Sequence, residues 1–336
     1  MQPIFMIGMQ RSGSNLLRLM LNQLDEVAAP HPPHVLQRMI PLQSHYGDLS
    51  EDENFDLLVD DICQLVELNP VEWESVKLDR DEVKSLCREN SLIAVFGAVY
   101  DICAKAQGAS TWCCKSLANI KYVDEIERYF KNPKYIYLYR DGRDVALSFR
   151  KAVVGDKHFY NIAKGWTHVQ EIGLSLKSQI DSSRLFAVSY EQLTAEPDST
   201  ARKLCEFLGV RYTEGMLDFH RSTEAKRAAG SSALWGNVTQ PVIQDNTKKF
   251  LREASEEDIR IFESVAGHVL DQLGYERHYV RNGEELVFSP REIEAFHIEN
   301  ERLKNELMRT VDKDDLERRD RQAGLLSQIQ SRFSVH

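Results

Sequence analysis

The run Pro3-Ile4-Phe5-Met6-Ile7-Gly8 passes through Met9-Gln10-Arg11-Ser12 into Gly13-Ser14-Asn15 and continues as Leu16-Leu17-Arg18-Leu19-Met20-Leu21. The short apolar run predicts a buried strand, and Leu17, Leu21 and Leu24 at helical spacing predict an amphipathic helix. A strand that turns through a glycine-bounded loop into a helix is a phosphate cradle, in which loop N–H groups and a helix N-terminus converge on an anion. Gly8 and Gly13 have the glycine spacing of a P-loop. A nucleoside triphosphatase would continue with Lys and then Ser or Thr, the first for the outer phosphates and the second for Mg²⁺. Here Ser14 and Asn15 follow, and the loop's one cation is Arg11. The pattern suits a phosphate ester handled without a metal ion. A P-loop nucleotide kinase is the alternative from another class, and a plain glycine turn is the alternative without a ligand.

A second junction of the same kind lies at Tyr135-Ile136-Tyr137-Leu138-Tyr139-Arg140-Asp141-Gly142-Arg143-Asp144-Val145-Ala146-Leu147-Ser148. Arg140 ends an apolar strand, and Ser148 stands two turns along the following helix. Together the two segments resemble the signature pair of the sulfotransferases that use 3′-phosphoadenosine 5′-phosphosulfate (PAPS), over roughly residues 3–275. The resemblance implies a three-layer α/β fold with a parallel sheet, and transfer of a sulfuryl group from PAPS to a hydroxyl acceptor, leaving 3′-phosphoadenosine 5′-phosphate (PAP). It also implies that Arg11, Ser12, Gly13, Ser14 and Asn15 hold the 5′-phosphosulfate, that Arg140 and Ser148 hold the 3′-phosphate, and that Tyr190 borders the adenosine. Lys249, after Pro241-Val242, matches a late basic residue of the family, with the adjacent Lys248 as the alternative. Lys115, at the end of another strand, matches a lysine that acts on the transferring group in some branches; a solvent-facing lysine is its plain reading.

An alcohol needs a base as its bond forms. In the family this is often a Glu or His after the second strand, and Ala29-Pro30-His31-Pro32-Pro33-His34 offers His34 and His31 there. Neutral imidazole can accept a proton near pH 7. The structural alternative is a proline-rigid turn capped by two histidines. A catalytically silent nucleotide-binding module is a third reading of the whole chain.

The formal net charge of −10 over 336 residues disfavours nucleic acid as the main partner. A polyanionic nucleotide then needs a local cationic pocket, for which Arg11, Lys115, Arg140 and Lys249 are the candidates. The start Met1-Gln2-Pro3 has no basic leader and no apolar run reaches membrane-spanning length, so the expectation is a soluble, cytoplasmic, bacterial-type member with no transmembrane anchor. Six dispersed cysteines lack zinc or disulfide spacing; Cys113 and Cys114, adjacent on a strand, should point to opposite faces.

Strands alternating with helices predict right-handed crossovers and a sheet covered on both faces. The expected organisation is a domain over 1–280, with residues 35–107 as a helical insertion forming a lid or wall on the substrate side, and a charged helical tail over 281–336. Helices are expected near 54–68, 79–90, 91–106, 119–130 and 197–208, strands near 110–116, 135–140 and 184–190, and flexible punctuation at Gly230-Ser231-Ser232. In the tail, Ile293, Phe296, Asn300, Leu303 and Leu307 step by threes and fours. That pattern fits either a short coiled coil joining two copies of the chain or a helix packed on its own domain.

Overall fold

The computed structural model describes residues 1–231, 233–311 and 313–332. Its centre is a five-stranded parallel sheet in the order β2-β3-β1-β4-β5. The strands are β1 (Ile4–Gly8), β2 (Val27–Ala28), β3 (Thr111–Cys114), β4 (Lys134–Tyr139) and β5 (Leu185–Ser189). Register pairs Phe5 with Cys114 on one side and with Tyr135 on the other. Alternation along the strands divides the interior in two. Phe5, Ile7, Trp112, Cys114, Tyr135 and Tyr137 face one core, while Ile4, Met6, Cys113, Ile136, Leu138 and Val188 face the other. The three-layer parallel α/β expectation holds, and Cys113 and Cys114 do point to opposite faces.

Helices α1 (Ser14–Leu21), α2 (Val35–Met39), α3 (Asp52–Glu67), α4 (Arg80–Leu86), α5 (Leu92–Ala106), α6 (Val123–Tyr129), α7 (Gly142–Arg150), α8 (Phe159–Gln179), α9 (Tyr190–Ala195) and α10 (Pro197–Leu208) follow the strands. They continue as α11 (Thr223–Ser231), α12 (Phe250–Glu253), α13 (Glu256–Gln272), α14 (Pro290–Met308) and α15 (Lys313–Arg332). Local chemistry sets the ends: Ser91 caps α5, Asp141 caps α7, and Gly209 closes α10 in the left-handed region.

Several expectations are corrected. Within the expected insertion, α3 and α5 form the layer over one sheet face, with Leu58, Ile62, Phe96 and Tyr100 in the core beside Phe5 and Trp112. A helix as apolar as α5, uncharged from Leu92 to Tyr100, has to be buried. The expected helix over 119–130 is a 3₁₀ turn at Leu117–Lys121 followed by α6. Tyr190 opens α9 instead of ending a strand, because the Ser189 hydroxyl caps that helix by accepting from the Gln192 N–H. Gly230 and Ser231 end α11 and are not punctuation; Ser232 lies outside the described residues.

The tail folds back on the body. In α14, Phe296 stacks on His158 at 4.7 Å, and the buried Asn300 Oδ1 accepts from the Lys157 and His158 N–H groups. Phe296 and Asn300 of the stripe are thus engaged within the chain. Leu325 and Ile329 of α15 join the core under α3, and Arg332 grips the fully buried Asp61 with two hydrogen bonds of 2.8 Å. Residues 333–336 lie outside the described residues.

Candidate active site

The carboxyl ends of the strands in an open parallel sheet gather ligand-binding loops. Here they surround one cavity of about 1100 Å³. After β1 the chain turns through Gly8 (φ +138) and Arg11 (φ +71) to Gly13 (φ +87), which is the N-cap of α1. A methyl group on Gly8 would fall on the Leu138 carbonyl oxygen, and one on Gly13 would fall in the Tyr190 ring. The glycines thus answer both a backbone conformation and a close approach. Gly13→Ala is expected to destabilise the protein by about 2–3 kcal/mol, the sum of left-handed strain and overpacking. Gly209→Ala, also at positive φ (+75) but with nothing within 4 Å, should show the backbone cost alone, about 1 kcal/mol. Urea titration of both variants measures the difference.

The cavity wall contains Arg11, Gly13, Ser14, Asn15, His34, Lys115, Arg140, Ser148, Tyr190 and Lys249. Ser12 is fully buried and lies outside that wall, as does His31. The two histidines of the proline turn have separated. His31 Nδ1 lies 3.4 Å from Asn69 Oδ1, its carbonyl accepts from Asn69 Nδ2 and Trp73 Nε1, and its ring packs at 4.8 Å on Trp235. His34 sits at φ +60 at the start of α2, where its side chain makes no capping bond and its buried Nδ1 has no partner among the described residues. A non-glycine residue held in that conformation with an unused imidazole nitrogen is a strained position of the kind found at working sites.

The cations form one cluster. The Arg11 Nε donates to Ser148 Oγ at 2.8 Å, while Arg140 Nη1 donates to the Arg11 carbonyl at 3.2 Å. Arg140 also donates to the Asn246 carbonyl at 2.6 Å, lies over the Tyr190 ring at 4.2 Å, and stands 3.8 Å from the buried Asp144 carboxylate. Burial and the neighbouring Arg140 lower the Arg11 pKa to about 10. Burial, with Arg18 and Arg11 close by, brings Lys115 down to about 7. Burial and Lys115 hold both His31 and His34 well below the usual imidazole range, so both are neutral. Arg143 serves the structure, pairing with Asp141 at 2.7 Å and with Glu263.

Three residues at or behind the site were missed by sequence reasoning. Arg18 is fully buried, donating to the Ala29 carbonyl at 2.9 Å and to Glu224 at 2.8 Å. Asn246 links Arg140 to the Tyr190 hydroxyl, to which its Nδ2 donates at 2.7 Å. Asp144 accepts from the Phe250 N–H at 3.0 Å, tying the turn that carries Lys249 to α7. Only Arg18 had a sequence signal, as the one charge in the apolar run from Leu16 to Leu21.

Comparison with known proteins gives the family. The Sulfotransferase family model matches residues 3–214, and the chain belongs to that family. The protein-tyrosine sulfotransferase of Drosophila melanogaster is 26% identical over 285 residues, covering 82% of this chain and 52% of that protein. Protein-tyrosine sulfotransferase A of Caenorhabditis elegans is 24% identical over 280 residues, covering 81% and 67%. The chain thus spans roughly half to two-thirds of these relatives. The sulfotransferase domain from the curacin biosynthetic pathway superposes with a TM-score of 0.54 at 21% identity, over 82% of this chain and 99% of that one, which establishes the shared fold. Among the described residues, no helix is long and apolar enough to cross a membrane.

Proposed function

We propose that the protein transfers a sulfuryl group from PAPS to a hydroxyl acceptor, releasing PAP, without a metal ion in the step. The observation that carries this reading is the gathering of Arg11, Lys115 and Arg140 at one cavity with too few anions to match. Its carboxylates Asp144, Asp156 and Glu253 face Arg140, Lys304 and Lys151. Among the described residues, neither Arg11 nor Lys115 has a carboxylate at ion-pair distance. Buried cations that lack counter-charges are costly and favour an anionic ligand.

In this reading the loop N–H groups, the N-terminus of α1, Arg11 and Lys115 surround the 5′-phosphosulfate and meet the charge that grows on the bridging oxygen as the sulfuryl group departs. Arg140, Ser148 and Lys249 receive the 3′-phosphate, Arg140 as a planar fork. Tyr190 borders the adenosine. His34, neutral and on the cavity wall, takes the acceptor's proton. His31, turned toward Asn69 and Trp235, positions that turn. The relatives named protein-tyrosine sulfotransferases make a phenol the first acceptor to try.

Titration calorimetry with PAP tests the reading. One PAP per chain, bound equally well with EDTA or with magnesium, is the expected result; no binding, or binding only with magnesium, overturns it. Binding accompanied by neither transfer from PAPS to tyrosyl peptides, phenols or sugars nor sulfate release would instead mark a silent nucleotide-binding module.

A further inference from the structure

Between α7 and α8 the chain turns over residues 151–158, and Val154, Gly155 and Asp156 of that turn line the large cavity. Gly155 and Asp156 also line a second cavity of about 280 Å³, to which α14 contributes Lys304 and Met308. With space on both sides, packing alone does not fix where the turn stands. It is stiff in itself, because Lys157 Nζ donates to the Val154 and Gly155 carbonyls at 2.9 and 2.5 Å. Its tie to the rest of the molecule is Asn300. This buried side chain of α14 accepts from the Lys157 and His158 N–H groups at 2.7 and 3.1 Å, and its Nδ2 donates to Asp156 Oδ1 at 2.9 Å. Lys304 adds an ion pair to Asp156 at 2.9 Å, but the two side chains keep 34% and 41% of their surface in solvent, and an exposed pair of that kind contributes little.

Val154 shares the wall of the large cavity with Ile120, Phe149 and Val169. These four side chains are apolar and have nothing with which to hold a phosphate, so this stretch of wall suits the carbon skeleton of an acceptor. Resting on the PAPS reading above, we propose that Asn300 is a positioning residue for the acceptor. It holds the 151–158 turn as a wall against which an apolar, aryl-type alcohol lies, and so sets acceptor affinity while touching neither acceptor nor nucleotide. Without the Asn300 bonds the turn moves as one stiff piece into the space beside it. Affinity for the acceptor then falls by the fraction of molecules whose turn is in place. The nucleotide is held by other elements, the loop after β1 and the side chains of α7, and α7 has its own core contacts through Val145, Ala146 and Leu147. Acceptor and donor affinities should therefore separate when Asn300 is changed.

The probe is 4-methylphenol, the tyrosine side chain as a free phenol. Asn300→Ala should raise its KM in transfer from PAPS about tenfold, the scale of a buried polar brace lost, with kcat and the calorimetric affinity for PAP within about twofold of the wild type. Exchanging the partners, Asn300→Asp with Asp156→Asn, keeps the bond between them with donor and acceptor reversed and should bring KM back toward the wild-type value. Lys304→Met should change KM by less than about threefold, since only the exposed ion pair is lost. An unchanged KM in Asn300→Ala would remove the brace. A fall in kcat or in PAP affinity as large as the rise in KM would show that Asn300 supports the fold alone. If the PAP-loaded wild type binds no 4-methylphenol, the acceptor wall is wrong while the donor reading stands; if the wild type binds no PAP, both fall. Should Asn300→Ala lose the circular dichroism of the folded chain, Asn300→Asp by itself, which gives up only the donation to Asp156, carries the same comparison with an expected rise in KM of about threefold.

Discussion

Lys115→Met is expected to slow sulfuryl transfer by a factor of about 10²–10³, the usual cost of removing one preorganised donor from the place where charge develops, while making the ligand-free protein more stable. Both effects come from one observation. Lys115 leaves the end of β3 with 9% of its surface exposed, near Arg18 and Arg11, and its pKa is drawn down to about 7. A lysine that is easier to protonate when unfolded lowers the stability of the fold. Between about pH 7 and its unfolded value near 10.4 the unfolded chain binds more protons, so this contribution makes stability rise with pH through that window. The methionine variant lacks the penalty, which is largest below pH 7, and thermal melts at pH 6 and pH 9 should show its advantage shrinking as pH rises. Ligand binding works in the opposite sense. A polyanion beside Lys115 raises its pKa again, so PAP binding above pH 7 takes up a proton and weakens as pH rises, by up to about tenfold per unit. Calorimetry in two buffers of different ionisation enthalpy should find that uptake at pH 8 in the wild type and not in Lys115→Met. Equal uptake in the two proteins would remove Lys115 from the anion site.

The parts legible in the sequence are those written in short-range pattern. The cradle is fixed by glycines and an apolar strand within a few residues of each other, and the second junction by a strand that ends in Arg140. Strand alternation sorted Cys113 from Cys114 because side-chain direction has a period of two. Interactions between distant residues left no such mark. Arg11 and Ser148 each have a clear local setting, yet nothing in either setting says that they touch. Glu224, in the first turn of α11, and Asn246, in the loop before α12, sit in no local pattern that names a partner, so their partners Arg18 and Arg140 emerge only in three dimensions. The place of α5 is hidden for a different reason. The uncharged run Leu92 to Tyr100 reads as burial, but sequence does not say whether the thing buried against is a sheet or a ligand. Likewise Ile293, Phe296 and Asn300 form one stripe that a second chain or the chain's own α8 could cover, and here α8 and the loop before it make the contacts. His31 and His34 differ by three positions in a proline-fixed turn; Asn69 and Trp73, far along the chain, decide which imidazole is tied down.

Glu224→Ala should be among the most damaging substitutions outside the cavity wall, costing about 3 kcal/mol in urea unfolding. Its partner Arg18 has no exposed side-chain surface and, among the described residues, no other bonded acceptor apart from the Ala29 carbonyl. Removing the carboxylate leaves a buried, uncompensated cation, which costs roughly 3–5 kcal/mol when both partners are fully buried; Glu224 retains 19% exposure, which places the expectation at the low end. Loss of charge and loss of packing are separated by Arg18→Met combined with Glu224→Leu, which fills similar volume without ions and should lie within about 1 kcal/mol of the wild type. The pair variant carries a further consequence for the site. Arg18 is the strongest of the cations that depress Lys115, so its removal lets Lys115 hold its proton to higher pH. The pH at which PAP binding begins to weaken should then move upward in the double variant, with affinity below pH 7 little changed. A double variant as unstable as Glu224→Ala, or one whose binding profile does not move, would show that Arg18 acts on packing alone and has no electrostatic hold over Lys115.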